Sequence, residues 1–254
     1  MSRRRPTNAA ASENEGKRPR RLPVVRRLFI AVLLVVTLVA VGDWVLHTST
    51  FRVHHVEVVG ATHESDGAII LASGLENQPA LIDVSDSVIA RRLNGFKWIK
   101  TISVVKHWPS TVRIVVTERT PVGIAYNAKK ILQLVDATGR DLGIAPANTN
   151  LPLLEVTSST ALTSWPFRGA GKNAALVAGV LPPAFSEQVD QVIEGTNGNV
   201  SLKMTTPVTF ALGPPTNLTA KFVAVASVIM HETLRAGDVV DVSVPDSPTI
   251  TQAK

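Results

Sequence analysis

Residues 106–121 read KHWPSTVRIVVTERTP. Val112, Ile114 and Val116 alternate with Thr111, Arg113, Val115 and Thr117, which is the two-residue period of a strand with one buried face. Trp108-Pro109 stands just before it. A residue ahead of proline is pushed out of the helical region, and proline presets φ for the first inner position of a turn. HWPST therefore folds this strand back on the preceding one, FKWIKTISVVKHW, as an antiparallel hairpin. Glu118-Arg119 closes the pairing in charge, and Pro121 removes an N–H where the chain leaves the unit.

Upstream, the pattern supplies what covers the hairpin. FRVHHVEVVGA alternates Phe51 and Val53, slips phase at His54-His55, and resumes with Val56 and Val58. The strand thus begins at His55 or carries a bulge there, and it is expected to pair with the strand ending at Trp108. Adjacent strand residues face opposite sides, so His54 and His55 make a poor metal chelate. THESDGAIILASGL offers Thr62 as a helix cap and Gly74 as a stop. IDVSDSVIARRLNG offers Asp83 or Ser85 as a cap, with Arg91 and Arg92 at the C-terminal end. The order is strand, helix, helix, strand, strand, an α+β unit with both helices on one sheet face.

Before this unit lies LFIAVLLVVTLVAVGDWVL, Leu28–Leu46. As a helix its length is roughly 28 Å, close to the ~30 Å hydrocarbon core of a bilayer. Asp43 and Trp44 sit near its outer end, where a carboxylate and an aromatic anchor reach the interface. Residues 1–27 hold nine of the 26 Lys and Arg against two of the 20 Asp and Glu, so the remaining chain has 17 basic and 18 acidic residues. The net +6 is thus confined to the preamble, and no basic stripe remains to follow a nucleic-acid backbone. The asymmetry predicts a single-pass anchor with its N-terminus in the cytoplasm and the bulk of the chain outside. A cleaved signal peptide, with small residues at Ala40–Gly42, is the rival, but the long preamble and the run through Leu46 favour an anchor. The preamble itself has the composition of a disordered tail.

Beyond Pro121 come short strands: VGIAYN, KILQLVD, a tight turn at DATGRD, and LPLLEV. GKNAALVAGVL predicts a helix over 173–181, SEQVDQVIEG, GNVSLKMTT and PVTFALG three strands, and TNLTAKFVAVASVIMHETL an amphipathic helix. DVVDVSVP predicts a last strand over 238–244, followed by a polar tail. The division is a basic tail (1–27), a membrane helix (28–46), a first module (47–121), a mainly antiparallel β domain with flanking helices (122–245) and a tail (246–254).

FRVHHVEVVG, LIDVSDSVIARRL, WIKTISVVKHWPSTVRIVVTERTPVG, LVDATGRDLG and LPLL together resemble the bacterial divisome family FtsQ, also called DivIB, in its actinobacterial form. The resemblance spans residues 24 to about 250, with the WPSTVRIVVTERTPV block its most specific element. It implies that the first module is a POTRA domain. Where the family's first helix often opens on Glu-Ile, this chain has Ser65-Asp66-Gly67, so a shorter or weaker helix is expected. The resemblance further implies a septal membrane scaffold that recruits small FtsB/DivIC-like and FtsL-like proteins, the former by adding a strand to a sheet edge. It carries that role onto Val240, Asp241, Val242, Ser243 and Val244, with other division proteins meeting the POTRA domain. A terminal strand at an edge would expose unpaired N–H and C=O groups to such a partner. The other reading is an ordinary strand covered by its own tail, and the pattern leaves both open.

No catalytic constellation emerges. The six histidines form no HExxH, no serine sits in GxSxG, and no Gly-rich loop carries GK[ST]. His231-Glu232 lacks the second histidine, and Asp83 and Asp86 fit helix capping. With no cysteine there is no disulfide and no thiolate ligand. The expectation is a non-enzymatic scaffold without cofactor or metal. The contrasting class is a membrane-anchored envelope enzyme or wall-binding module whose site leaves no motif.

Overall fold

The computed structural model describes residues 24–157 and 171–253, so the expected basic tail falls outside it up to residue 23. Helix α1, Val24–Leu46, has no buried residue and is long and apolar enough to cross a membrane. It begins four residues ahead of the apolar run and takes in Arg26 and Arg27, both good helix formers.

The first module contains β1 (His55–Val59), α2 (Asp66–Ser73), α3 (Asp86–Leu93), β2 (Ile99–His107) and β3 (Thr111–Glu118) in the expected order. The phase slip lies outside the ladder, since β1 begins at His55. The pairing differs from expectation. β1 lies parallel to β3, His55 opposite Thr111, and β2 lies antiparallel on the other side of β3. Strand β3 is therefore central. Its apolar side chains explain the place: Val112 and Ile114 are fully buried and Val116 nearly so. A parallel pair needs a long crossover, and α2, α3 and β2 supply it. Ile69, Leu81, Ile89 and Leu93 close over this sheet to form the core.

Ser65, not Thr62, caps α2, its Oγ accepting from Ala68 N at 3.2 Å. The helix runs for eight residues. Gly74 ends it at φ 77°, where a Cβ would strike Arg92.

Among the described residues the second module is one nine-stranded sheet. Its strands are β4 (Pro121–Tyr126), β5 (Leu132–Asp136), β6 (Asp141–Ile144), β7 (Leu153–Val156), β8 (Val189–Glu194), β9 (Val200–Met204), β10 (Thr209–Gly213), β11 (Val239–Asp241) and β12 (Thr249–Thr251). They lie in the order β12-β11-β10-β9-β8-β7-β4-β5-β6. Most neighbours are antiparallel, and the parallel pairs are β4–β7, β7–β8 and β10–β11. Helices supply two crossovers: α4 (Lys172–Gly179) and α5 (Pro183–Ser186) lie between β7 and β8, and α6 (Leu218–His231) between β10 and β11. Val192, Leu202, Phe210, Leu212, Val225 and Val240 anchor the core.

The start of α4 shows how closely this core is closed. Glu194, at the end of β8 and buried, accepts from Gly171 N at 2.9 Å, Asn173 N at 2.8 Å and Ala174 N at 3.1 Å. One carboxylate oxygen thus satisfies three donors that a helix N-terminus leaves open. Glu194→Ala is expected to lower unfolding stability by ~2–3 kcal/mol. Thermal melting of the full chain checks this, and an unchanged transition would contradict it.

Candidate partner-binding edge

The five residues expected at the sheet edge do not lie there. β11 is flanked on one side by β10 and on the other by β12, which comes from the segment expected to be a polar tail. The chain leaves β11, turns through Pro245–Pro248 with Ser247 N bonded to Val244 O at 3.1 Å, and returns antiparallel. Buried Asp238 fixes the return: its Oδ1 accepts from Ala253 N at 3.1 Å and its Oδ2 from Arg235 N at 2.8 Å. Val240 and Val242 are fully buried, so they belong to the core. Asp241 is exposed and accepts from Ser243 N at 2.8 Å, Ser243 is half-buried beside Gly213, and Val244 is exposed past the strand. Val240 and Val242 stand out in the sequence because they are core residues, burial being worth ~1.5–3 kcal/mol for a valine.

At this end of the sheet the edge strand is β12, as β6 is at the other end; among the described residues neither pairs with a strand on its outer side. The direction of its backbone groups follows from β10 and β11. Thr209 N donates to Asp238 O and Val242 N donates to Ala211 O, both at 3.0 Å. Residues 238, 240 and 242 therefore turn their backbone groups toward β10, and Val239 and Asp241 turn theirs toward β12. Val239 faces Thr251, Val240 faces Ile250 and Asp241 faces Thr249. Thr249 and Thr251 are thus the hydrogen-bonded partners, and Ile250 presents its N–H and C=O outward. Pro248 has no N–H to offer.

The ground behind this edge is charged but internally balanced. Lys221 on α6 is buried and donates from Nζ to Pro214 O at 2.7 Å. Burial lowers its pKa, and Asp241 works in the opposite sense. The Asp241 carboxyl is lowered, first by the hydrogen bonds from Ser243 and against a smaller effect of burial, with Lys221 adding to the lowering.

At the other end of the sheet, the POTRA-like module and the β domain are joined by groups whose role the sequence did not disclose. Arg119 Nη1 donates to Asp136 Oδ2 at 2.5 Å, with both side chains nearly buried. Arg119 Nε also donates to Ile99 O at 3.2 Å. Asp136 accepts from Thr138 N at 2.9 Å, Thr138 Oγ1 at 2.6 Å and Arg140 N at 2.9 Å. Burial acts to raise the Asp136 pKa, but these bonds hold it below the ordinary value. Lys97 and Asp141 form a second bridge across the junction.

Next to it, Glu118 gathers the loop after β1. Its carboxylate accepts from Thr62 N at 2.7 Å, Thr62 Oγ1 at 2.5 Å and His63 N at 2.9 Å, with His63 Nδ1 at 2.7 Å. The His63 ring stacks on Trp98 at 3.6 Å between centroids. Burial pushes the Glu118 carboxyl up, but the His63 and Thr62 hydrogen bonds outweigh it and hold the pKa at about 2, against 4.5. Because the folded-state value is depressed, the stabilisation is complete above about 4.5 and is lost as pH falls toward about 2. Glu118→Gln is expected to cost ~1–3 kcal/mol at neutral pH and to flatten stability over that acid window. Denaturant unfolding at several pH values checks it, and an unaltered acid limb would contradict it.

These carboxylates and cations are engaged with each other and with the backbone. Among the described residues, no group of three or more His, Asp or Glu side chains is placed to hold a metal ion.

Comparison with known proteins follows this architecture. Residues 51–119 match the family described as POTRA domain, FtsQ-type. The Cell division protein FtsQ of Streptomyces venezuelae is 30% identical over 233 residues, covering 90% of this chain and 84% of that protein. The chain belongs to the FtsQ family of cell division proteins. The FtsQ of Streptomyces collinus is 29% identical over 247 residues, covering 93% of each chain. That of Mycolicibacterium smegmatis is 26% identical over 223 residues, covering 88% of this chain and 64% of the other. The family match begins at Phe51 and ends at Arg119, so it takes in β1 to β3 and stops where the interdomain bridge begins. In this FtsQ-family chain the membrane-length helix, the POTRA domain and the large sheet follow one another as the sequence pattern anticipated.

Proposed function

We propose that the chain is a non-enzymatic, single-pass scaffold of the division septum. Its N-terminus lies in the cytoplasm, and its POTRA and β domains stand outside the membrane to gather other division proteins. The reading is supported by the charge asymmetry about α1 and by family membership. The observation that carries the mode of action is the outer side of β12, where among the described residues no strand pairs and Ile250 turns its backbone donor and acceptor outward. A FtsB/DivIC-like partner adds a strand there, and a FtsL-like protein is held with it. Val240–Val244 serve as the ground on which β12 rests, so their part in partner binding is indirect.

Strand addition supplies affinity through main-chain hydrogen bonds and needs no deep pocket. Depletion of the protein tests the cellular role. Filamentous cells with failed septa are expected, rescued by the full chain, and normal septation with altered wall composition would contradict the scaffold.

A further inference from the structure

The POTRA sheet has two ends with different neighbours. The end holding Glu118 and Arg119 joins the β domain. The opposite end holds the connection between β2 and β3, residues 108–110, and the chain arriving from α1. Parallel pairing of β1 with β3 puts the start of both strands at that end, His55 opposite Thr111. The backbone N–H groups of His54 and His55 both donate to Ser110 O, at 2.9 and 3.2 Å.

Phe51 follows Leu46 by five positions, and the last three, Ser49–Phe51, form a 3₁₀ turn. At ~2 Å rise per residue in such turns, that is roughly 10 Å of chain. His47 fastens the helix end to the POTRA domain, its Nε2 lying 3.2 Å from Asp83 Oδ2. Phe51 packs edge-on against Trp108, with ring centroids 5.8 Å apart. Trp108 is nonetheless 52% exposed, and Ile82, next to the Asp83 that meets His47, is 42% exposed. Lys106 Nζ reaches Ile82 O at 3.3 Å, and Arg52 Nη1 reaches Gln78 O at 3.3 Å, so two cations border the apolar tip.

We propose that the Trp108–Ser110 tip rests in the headgroup region of the bilayer crossed by α1, with Trp108 and Ile82 inserted and Arg52 and Lys106 beside anionic lipid. This rests on reading α1 as a membrane span. An amphipathic indole next to basic side chains suits that layer, where tryptophan is enriched. The contact gives the POTRA domain a second point of attachment besides α1. The eight residues of β3 then lead away from the membrane over ~26 Å, which sets the β domain off the lipid surface.

The full chain in nanodiscs tests this, with tryptophan emission read against lipids brominated near the headgroups or deep in the tails. Trp44→Phe, Trp98→Phe and Trp165→Phe together leave Trp108 as the sole emitter, and a companion chain keeps only Trp44. The expected result is blue-shifted Trp108 emission, quenched more by the shallow bromines than by the deep ones and to an extent comparable with Trp44. Quenching of Trp44 with solvent-like, unquenched Trp108 would overturn the proposal while leaving the membrane span intact. Failure to quench either would overturn both. Should the triple replacement not fold, Ser110→Cys carries a nitroxide in this otherwise cysteine-free chain. Collisions with oxygen exceeding those with an aqueous nickel chelate support insertion, and the reverse overturns it.

Discussion

Ile250→Pro is expected to weaken association with the FtsB/DivIC-like partner at least tenfold while leaving the β domain folded. The outward N–H of Ile250 is the donor an added strand would use, and proline removes it and places a ring in the partner's path. Loss of one hydrogen bond accounts for ~0.5–1.5 kcal/mol and the steric conflict for the rest, with ~1.4 kcal/mol corresponding to each tenfold. Stability should hardly move, because the donors facing β11 are those of Thr249 and Thr251. Thr251→Pro is the informative contrast. It removes a donor directed at Val239 and should loosen β12 itself. Val242→Pro would be a poor test, since Val242 is fully buried and bonds to Ala211 O. Co-purification from membranes with a parallel melting curve measures both effects. Undiminished partner recovery with Ile250→Pro would remove β12 as the docking edge.

Arg119→Met is expected to cost ~3 kcal/mol of unfolding stability. The Arg119–Asp136 bridge is nearly buried, and removing one partner strands the other charge away from water. The three remaining bonds from Thr138 and Arg140 keep the figure at the lower end of the ~3–5 kcal/mol usual for a broken buried pair. Asp136→Asn is expected to cost a similar amount. The double variant should lose less than the two losses added together, because the second change removes the orphaned charge. Chemical unfolding of the four chains gives the coupling. A single-variant loss below ~1 kcal/mol would show the junction to be held elsewhere.

Local chemistry was legible and long-range pairing was not. The hairpin about Trp108-Pro109, the Gly74 stop and the strand start at His55 all lie where residues 51–121 suggested, because each depends on neighbours in the chain. Alternation in Val112, Ile114 and Val116 announces a buried face, but it says nothing about which strands lie on either side. The partner of β1 was misjudged for that reason. β12 escaped notice because Thr249-Ile250-Thr251 is exposed throughout and follows two prolines, so it has the pattern of a tail. Its place is set by Asp238 and Val239, more than ten residues earlier. Val240 and Val242 drew attention for the opposite reason: strong strand formers mark the core as readily as an edge. Glu118 and Arg119 looked like a charged strand terminus, and their partners Thr62, His63 and Asp136 are distant in sequence or in another domain.

Amide hydrogen exchange across β12, on the full chain in nanodiscs with and without the FtsB/DivIC-like partner, tests the strand-addition scaffold most directly. The account predicts that the Ile250 amide exchanges freely alone and becomes strongly protected in the complex, while Thr249 and Thr251 are protected in both. A complex that forms with Ile250 still exchanging freely would contradict it.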